Sequence, residues 1–518
     1  MRLHPRLTTP AIAAAALALA APGASRAGVT PAPLFANHAV LQHGKPVPVW
    51  GAAAAGETVT VTYLGQRKTA VASAAGRWRL ALDPMEPGRS GTLVIKGENT
   101  LAFSDVVTGE VWLASGQSNM ALQLKATANA KEEAAAADCP GIREFKVALA
   151  VSPIPRDSLS GRWTPCTPRS AGDYGAAAYY FARELHAALK MPVGIINSSK
   201  GGTPIEAWMS AVALKESGLS GAVAARWREQ ARDHPAKLAA YNAGALPEWE
   251  KKAAAARAAG KTPPPRPSPP PGGPGDHRIP TGLHGGMIHA LIPCSLRGAL
   301  WYQGEANAAR PAEYPALFEA LVSDWRRAWG QGDFPFFYVQ LPNYEIPARE
   351  DRGRNLWPAL REAQARSLAR LPGAGMAVAI DIGDPGDVHP ANKRDIGNRL
   401  ARLALAKVYG RDIAWSGPAA RSATRENDAL RIAFDHAGGV MKTRDGRPPG
   451  GFEIAGADGR FHPAAARIED GTVLVRSPAV PAPESVRYAW KNNPSDANLA
   501  GADNLPAPPF TLRVIFDF

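Results

Sequence analysis

The sequence predicts an α/β protein, with a parallel sheet in the middle of the chain and β-rich regions on either side. Three observations carry that expectation. Five apolar runs between residues 111 and 382 alternate with helical patterns, which implies a parallel sheet covered on both faces. Residues 28–108 hold short alternating runs bounded by Gly- and Ala-rich turns, the rhythm of a small antiparallel sandwich. The last hundred residues repeat that rhythm. The resulting division is 28–108, 109–410 and 411–518, in line with the roughly three domains that a chain of this length suggests.

Taken in order, residues 1–27 read as a leader. Arg2 and Arg6 give a basic start, Ala11 to Ala21 is an apolar run, and Ser25-Arg26-Ala27 offers small residues for a signal peptidase. The competing reading is an N-terminal membrane anchor, although the run falls short of the ~20 residues that span a bilayer. The first reading expects a signal peptide and a secreted or periplasmic protein without stable membrane insertion. Beyond the leader, Thr58–Tyr63 and Trp78–Leu82 are strand-like, and Pro46–Trp50 is a candidate edge strand because of its prolines. The five buried runs are Val111–Ala114, Val193–Asn197, Gly298–Gln303, Phe336–Gln340 and Met376–Ile382. Helices are expected at Tyr174–Leu189, Tyr314–Trp329, Leu356–Leu371 and Lys393–Val408; Leu317, Leu321 and Trp325 share one face of the second. Residues 210–280 interrupt this order with an alanine- and charge-rich helical segment and the tract Thr262 to Gly272. That tract predicts an extended, exposed connector within an insertion. Near the end, Leu430–Phe434, Thr472–Arg476, Val486–Trp490 and Thr511–Ile515 are strand-like.

Composition narrows the function. Hydrophobic residues at 45% and charged residues at 20% are globular values. The net charge of +13 falls to +10 without Arg2, Arg6 and Arg26, and the basic residues form no stripe interleaved with aromatics, so a nucleic-acid partner is not expected. Three cysteines are too few for a disulfide scaffold or a four-cysteine zinc site. A Cys139–Cys166 bridge would close one loop and contribute ~3 kcal/mol in an oxidising compartment; Cys294, beside an apolar run, reads as a buried thiol.

In parallel sheets the active site lies beyond the carboxyl ends of the strands. The first buried strand runs into Ser115-Gly-Gln-Ser-Asn-Met120, where a tight turn exposes a serine and a following helix start favours negative charge. An N-capping serine is the plain alternative. The second ends in Asn197-Ser-Ser-Lys-Gly-Gly-Thr-Pro204, whose glycines let backbone N–H groups approach a ligand. The third ends in Trp301-Tyr-Gln-Gly-Glu-Ala-Asn307, where Gln303 can donate to an oxyanion and Glu305 can tie the loop. The fifth ends in Asp381-Ile-Gly-Asp-Pro-Gly-Asp-Val-His-Pro390, a histidine with carboxylates to orient it. Together these loops supply nucleophile, base, acid and oxyanion donors, the inventory of acyl transfer. A calcium loop built on Asp381, Asp384 and Asp387 is a competing reading of the last segment.

These four motifs, with Gly201-Gly-Thr-Pro-Ile-Glu-Ala-Trp208, Asn392-Lys393, Val486-Arg-Tyr-Ala-Trp490, Asn493-Pro494 and Leu505-Pro-Ala-Pro-Pro-Phe510, resemble the sialate O-acetylesterase family of the SGNH hydrolase superfamily. The resemblance implies a flavodoxin-like catalytic domain flanked by β-sandwich-like regions, no metal or other cofactor, and removal of O-acetyl groups from sugars. It makes Ser118 the nucleophile, His389 the general base, and Gly201, Gly202 and Gln303, with the Ser118 amide, the oxyanion donors. Asn119, Trp208 and Glu305 are then expected near the substrate. The superfamily commonly has Asp three residues before His; position 386 is Gly, so Asp387 is the expected acid, with Asp384 or a backbone carbonyl as substitutes. Lys200 stands where relatives often have Trp, and His284-Gly285 where they tend to have Tyr-Asn, both expected to border the pocket. The implied partner is an acetylated oligo- or polysaccharide or a sialic acid, with acetylxylan as an alternative. Two other classes use the same residues: a glycosidase pairing Glu305 with Asp381 or Asp384, and a non-catalytic glycan-binding protein that stacks sugars on aromatics.

Overall fold

A single strand of 17 residues, Thr100–Gly116, runs through two neighbourhoods of the molecule. Its first half pairs antiparallel with Ser90–Lys96, and Val107–Gly109 pairs parallel with Val40–Gln42. Its second half lies between two parallel strands of the central sheet. Burial follows the change: partial exposure up to Asp105, then eleven consecutive buried residues. A ladder with one wet face becomes a strand covered on both faces. The expected boundary at residue 108 therefore falls inside one continuous strand. The computed structural model describes residues 28–264, 266–351, 353–436 and 440–514, so the leader at 1–27 lies outside the described residues.

The central strands are β1 (Thr100–Gly116), β2 (Cys139–Val147), β3 (Gly161–Cys166), β4 (Val193–Ser199), β5 (Gly298–Tyr302), β6 (Phe336–Val339) and β7 (Ala374–Ala377). Their order is β3-β2-β4-β1-β5-β6-β7, all parallel except the β2–β3 pair. The helices are α1 (Ala176–Leu189), α2 (Ser220–Ala243), α3 (Ala245–Ala258), α4 (Tyr314–Trp329), α5 (Leu356–Leu368) and α6 (Arg394–Lys407). Alternate strand residues divide between two cores. Trp112, Ala114, Leu300, Tyr302, Phe337 and Val339 share one with Ala177, Phe181, Ile396 and Leu400 of α1 and α6. Val111, Leu113, Ala299, Trp301, Phe336 and Tyr338 share the other with Leu317, Leu321, Trp325 and Leu360 of α4 and α5. The period of two along each strand thus creates a sheet with helices on both sides.

Several elements depart from expectation. The β2–β3 hairpin was not foreseen, because its Pro, Arg and Thr content hides the strand signal. It also sets side by side the two cysteines that could close a loop: Cys139 and Cys166 are register partners and both are free thiols, and burial pushes the Cys166 thiol up to about 12. Val47–Ala52 is not an edge strand but lies between Thr30–Pro31 and Arg77–Leu82; its first neighbour covers only Gly51 and Ala52, which leaves Pro48 with a single partner strand. The proline tract is extended, yet it is docked on the insertion's helices. Trp249 Nε1 donates to Pro264 O (2.8 Å) and Tyr241 OH to Pro267 O (2.9 Å), since prolines keep free carbonyl acceptors. The C-terminal region holds two four-stranded antiparallel sheets. Ile515 lies outside the described residues. No helix among the described residues is long and apolar enough to cross a membrane.

Candidate active site

The sheet order makes neighbours of three motifs that are far apart in sequence. β4, β1 and β5 are adjacent, and their register sets Ser198, Ser115 and Trp301 in one row and Ser199, Gly116 and Tyr302 in the next. The chain then turns at Gly116, where φ is +132° and a Cβ would meet Tyr302 O at 2.2 Å, so only glycine fits. Gln117 N donates to Tyr302 O (2.9 Å), and half-buried Ser118 opens the one-turn helix Ser118–Ala121. Lys200 N donates to Gly116 O (3.0 Å), which lays the next two residues alongside: a Cβ on Gly201 would stand 3.3 Å from Ser118 Cβ. Gly202 has φ +71°. Among the described residues, no acceptor meets the amides of Ser118, Gly201 or Gly202.

Behind this turn lies a fully satisfied buried web. Gln303 Nε2 donates to Asn307 Oδ1 (2.7 Å) and, less closely, to Thr203 O (3.3 Å), while its Oε1 accepts from Tyr314 OH (3.1 Å). Both amide protons of Gln303 are therefore engaged within the protein. Asn307, which the sequence reading passed over, also accepts from Ile205 N (2.9 Å) and donates to Glu206 (2.8 Å). Its place four residues after Gln303 was the only local signal. Trp208 is fully buried, bonded to Thr203 Oγ1 (2.9 Å) and edge-on to Trp301 at 6.3 Å. Neither indole can stack on a sugar, which corrects the expectation for Trp208: the ring belongs to the core beneath the loop.

The histidine loop follows β7. Asp384 Oδ1 accepts from Gly386 N (2.8 Å), and Asp387 Oδ1 accepts from His389 N (2.8 Å) while standing 3.5 Å from the ring Nδ1. Burial holds the His389 imidazole below its ordinary range; Asp387 opposes that shift and Lys393 reinforces it. Asn119 Nδ2 donates to Val388 O (3.0 Å) and to Glu305 Oε1 (2.5 Å), joining the serine turn, the β5 loop and the histidine loop. Asn119 is fully buried and the Glu305 carboxyl is shut off from solvent, with its pKa raised by burial. Both were expected to touch substrate; both are instead turned into the protein. His284 and Gly285 are likewise buried, Gly285 against the Ser152 carbonyl.

One carboxylate shared by the competing readings is already paired. Asp381 is held by Arg399 (2.7 Å to each oxygen) and Arg444 (2.9 Å), so it serves neither a calcium loop nor a glycosidase pair. Among the described residues, no group of three or more His, Cys, Asp or Glu could hold a metal ion. Lys200 is half-buried and forms no ion pair among the described residues. His277, brought by the insertion, has its Nε2 3.9 Å from the place a Gly202 Cβ would take.

The chain is also similar to proteins of known family. The family model described as carbohydrate esterase, sialic acid-specific acetylesterase matches residues 286–406. The sialate O-acetylesterase of Rattus norvegicus is 29% identical over 530 residues, covering 92% of this chain and 93% of that protein. The Homo sapiens sialate O-acetylesterase is 30% identical over 413 residues, covering 71% of this chain and 69% of its own. A carbohydrate acetylesterase structure from Xanthomonas citri superimposes with a TM-score of 0.80 at 37% identity, covering 94% of this chain and 100% of that one.

Proposed function

This chain belongs to the sialate O-acetylesterase family of carbohydrate esterases and is a carbohydrate O-acetylesterase, and from that premise we propose that Ser118 is its nucleophile and His389 its general base. The observation that carries the assignment is the Asn119 side chain, which fastens the turn bearing Ser118 to the peptide next to His389. His389 takes the Ser118 proton as the hydroxyl attacks the acetyl carbonyl, and returns it to the departing sugar oxygen. A water activated by the same imidazole then releases acetate. Asp387, 3.5 Å from Nδ1, orients the ring and stabilises the imidazolium. The tetrahedral oxyanion is met by the amides of Ser118, Gly201 and Gly202, which are free of protein acceptors among the described residues. Gln303 joins them by giving up its longer bond, to Thr203 O.

We read the parallel sheet as the flavodoxin-like core of SGNH hydrolases, and the terminal sheets as sandwich-like flanks. Six parallel strands with helices on both faces support the first reading. The sugar is read as anionic, a sialic or uronic acid, because Lys200 beside the glycine pair has no carboxylate partner among the described residues. Export through the leader at 1–27 completes the proposal, and N-terminal sequencing of the mature protein would show cleavage after Ala27.

Acetate release from 9-O-acetylated sialic acid, acetylated xylan and p-nitrophenyl acetate tests the chemistry and the sugar together. Ser118→Ala should lose about 10⁴-fold or more in kcat on all three. A variant as active as wild type sinks the serine assignment. Preference for xylan over sialic acid overturns the anionic-sugar reading alone.

A further inference from the structure

His389 sits between two backbone carbonyls, and each is held by a side chain. On one side Asn119 Nδ2 donates to Val388 O at 3.0 Å; on the other Lys393 Nζ donates to Pro390 O at 2.5 Å. Lys393 is fully buried. Its ammonium lies 5.8 Å from the Tyr302 ring and is attracted by the carboxylates of Glu305 and Asp387. The position is unfavourable for a lysine on two counts. Burial opposes its charge and lowers its pKa to about 8. It also immediately precedes α6, where the helix N-terminus repels a cation. Helix stability therefore does not explain the residue, whereas its contact with the histidine loop does.

We propose that Lys393 is a positioning residue for the general base, clamping the chain just after His389 at the Pro390 carbonyl, as Asn119 holds it just before at the Val388 carbonyl. The proposal rests on the assignment of Ser118 and His389 above. Holding both neighbouring carbonyls fixes the backbone from which the imidazole projects, so the ring meets the serine hydroxyl without first being ordered. The clamp also has an electrostatic consequence. The charged groups facing His389 are Asp387 and Lys393, and those facing Lys393 are Glu305, Asp387 and His389. A cation here disfavours the imidazolium, so it extends the pH range over which His389 is a neutral base.

Wild type, Lys393→Met, Lys393→Arg and Ser118→Ala are compared on p-nitrophenyl acetate from about pH 5 to about pH 9, with circular dichroism melts as a check on folding. Lys393→Met should lose about tenfold or more in kcat with KM within about twofold, since the clamp orders the base and does not bind the ester. Its acid limb in kcat/KM should move to higher pH by about half a unit, because the missing cation lets the imidazole keep its proton. Lys393→Arg keeps the charge and should keep the wild-type limb. A folded Lys393→Met with wild-type kcat and limb overturns the proposal. If Lys393→Met does not fold, the arginine variant decides: a limb that shifts upward despite the retained charge overturns it, and an unshifted limb supports it. Residual turnover in Ser118→Ala would instead defeat the serine assignment, whatever Lys393 does.

Discussion

In the proposed mechanism Gln303 both braces a loop and serves the oxyanion. Its shorter bond, 2.7 Å to Asn307, holds the amide in place, and its longer one, 3.3 Å to Thr203 O, is the weaker. An oxyanion in place of that carbonyl makes a charge-assisted bond of roughly twice the strength, so the exchange favours the transition state over the ground state. Gln303→Ala should therefore lower kcat roughly 10²-fold. A drop of less than about fivefold would remove Gln303 from the oxyanion hole. Trp208, Asn119 and Glu305 teach the converse. Each has the right type for a sugar contact and the right place in its motif, yet each is turned inward onto a partner: Thr203, Val388 and Asn119 respectively.

The insertion is the least buried large element, and its attachment is correspondingly specific. α2 buries only Val223 and α3 only Ala253, so packing alone holds it weakly. Arg226 of α2 supplies the anchor. It reaches both oxygens of Glu313 at 2.8 Å and Glu206 at 3.4 Å, and Glu206 in turn holds Asn307 of the Gln303 web. Arg226→Met should cost about 1–2 kcal/mol of attachment, which opens the insertion roughly 5–30 times more often. Limited proteolysis within 220–271 should accelerate by a similar factor. An unchanged cleavage rate would mean that the helices are held by other contacts. The proline tract belongs to the same unit, since Trp249 and Tyr241 tie it to these helices.

Across the molecule, the C-terminal region and the central sheet are joined through buried Arg361 of α5. Its guanidinium donates to Leu341 O (3.0 Å) and Pro342 O (3.2 Å) at the end of β6, and to Lys491 O (2.9 Å) and Asn492 O (2.5 Å) of the C-terminal chain. Burial lowers its pKa to about 9, and carbonyls alone balance the charge. The link continues toward the active site: Asn493 bonds Asn343, Asn343 bonds Gly383, and Arg444 bonds Asp381 of the histidine loop. Arg361→Leu leaves these carbonyls without their donor and should destabilise by about 3–5 kcal/mol, lowering the melting temperature by about 5 °C or more. A melt within about 2 °C of wild type would show that Arg361 does not join the two regions.

Residue pattern was enough to find four of the seven central strands, the α4 helix from Tyr314 to Trp329 and the four strand-end motifs, because these signals are local; a fifth expected run, Met376–Ile382, overlaps β7 (Ala374–Ala377) only at Met376 and Ala377. A period of two or of 3.6 is written in neighbouring side chains, and a serine, a glycine pair or a histidine at the end of an apolar run needs no distant partner to be noticed. The β2–β3 hairpin escaped because proline and arginine mask its alternation, and its strands are recognised by each other's hydrogen bonds. The same holds at the site. Val388 lies 269 positions from Asn119, and Thr203 lies 100 from Gln303. Which polar group is buried, and against what, follows from the order β4-β1-β5 that brings those segments side by side. Buried polar groups must find partners, and only the folded sheet says which partners are within reach.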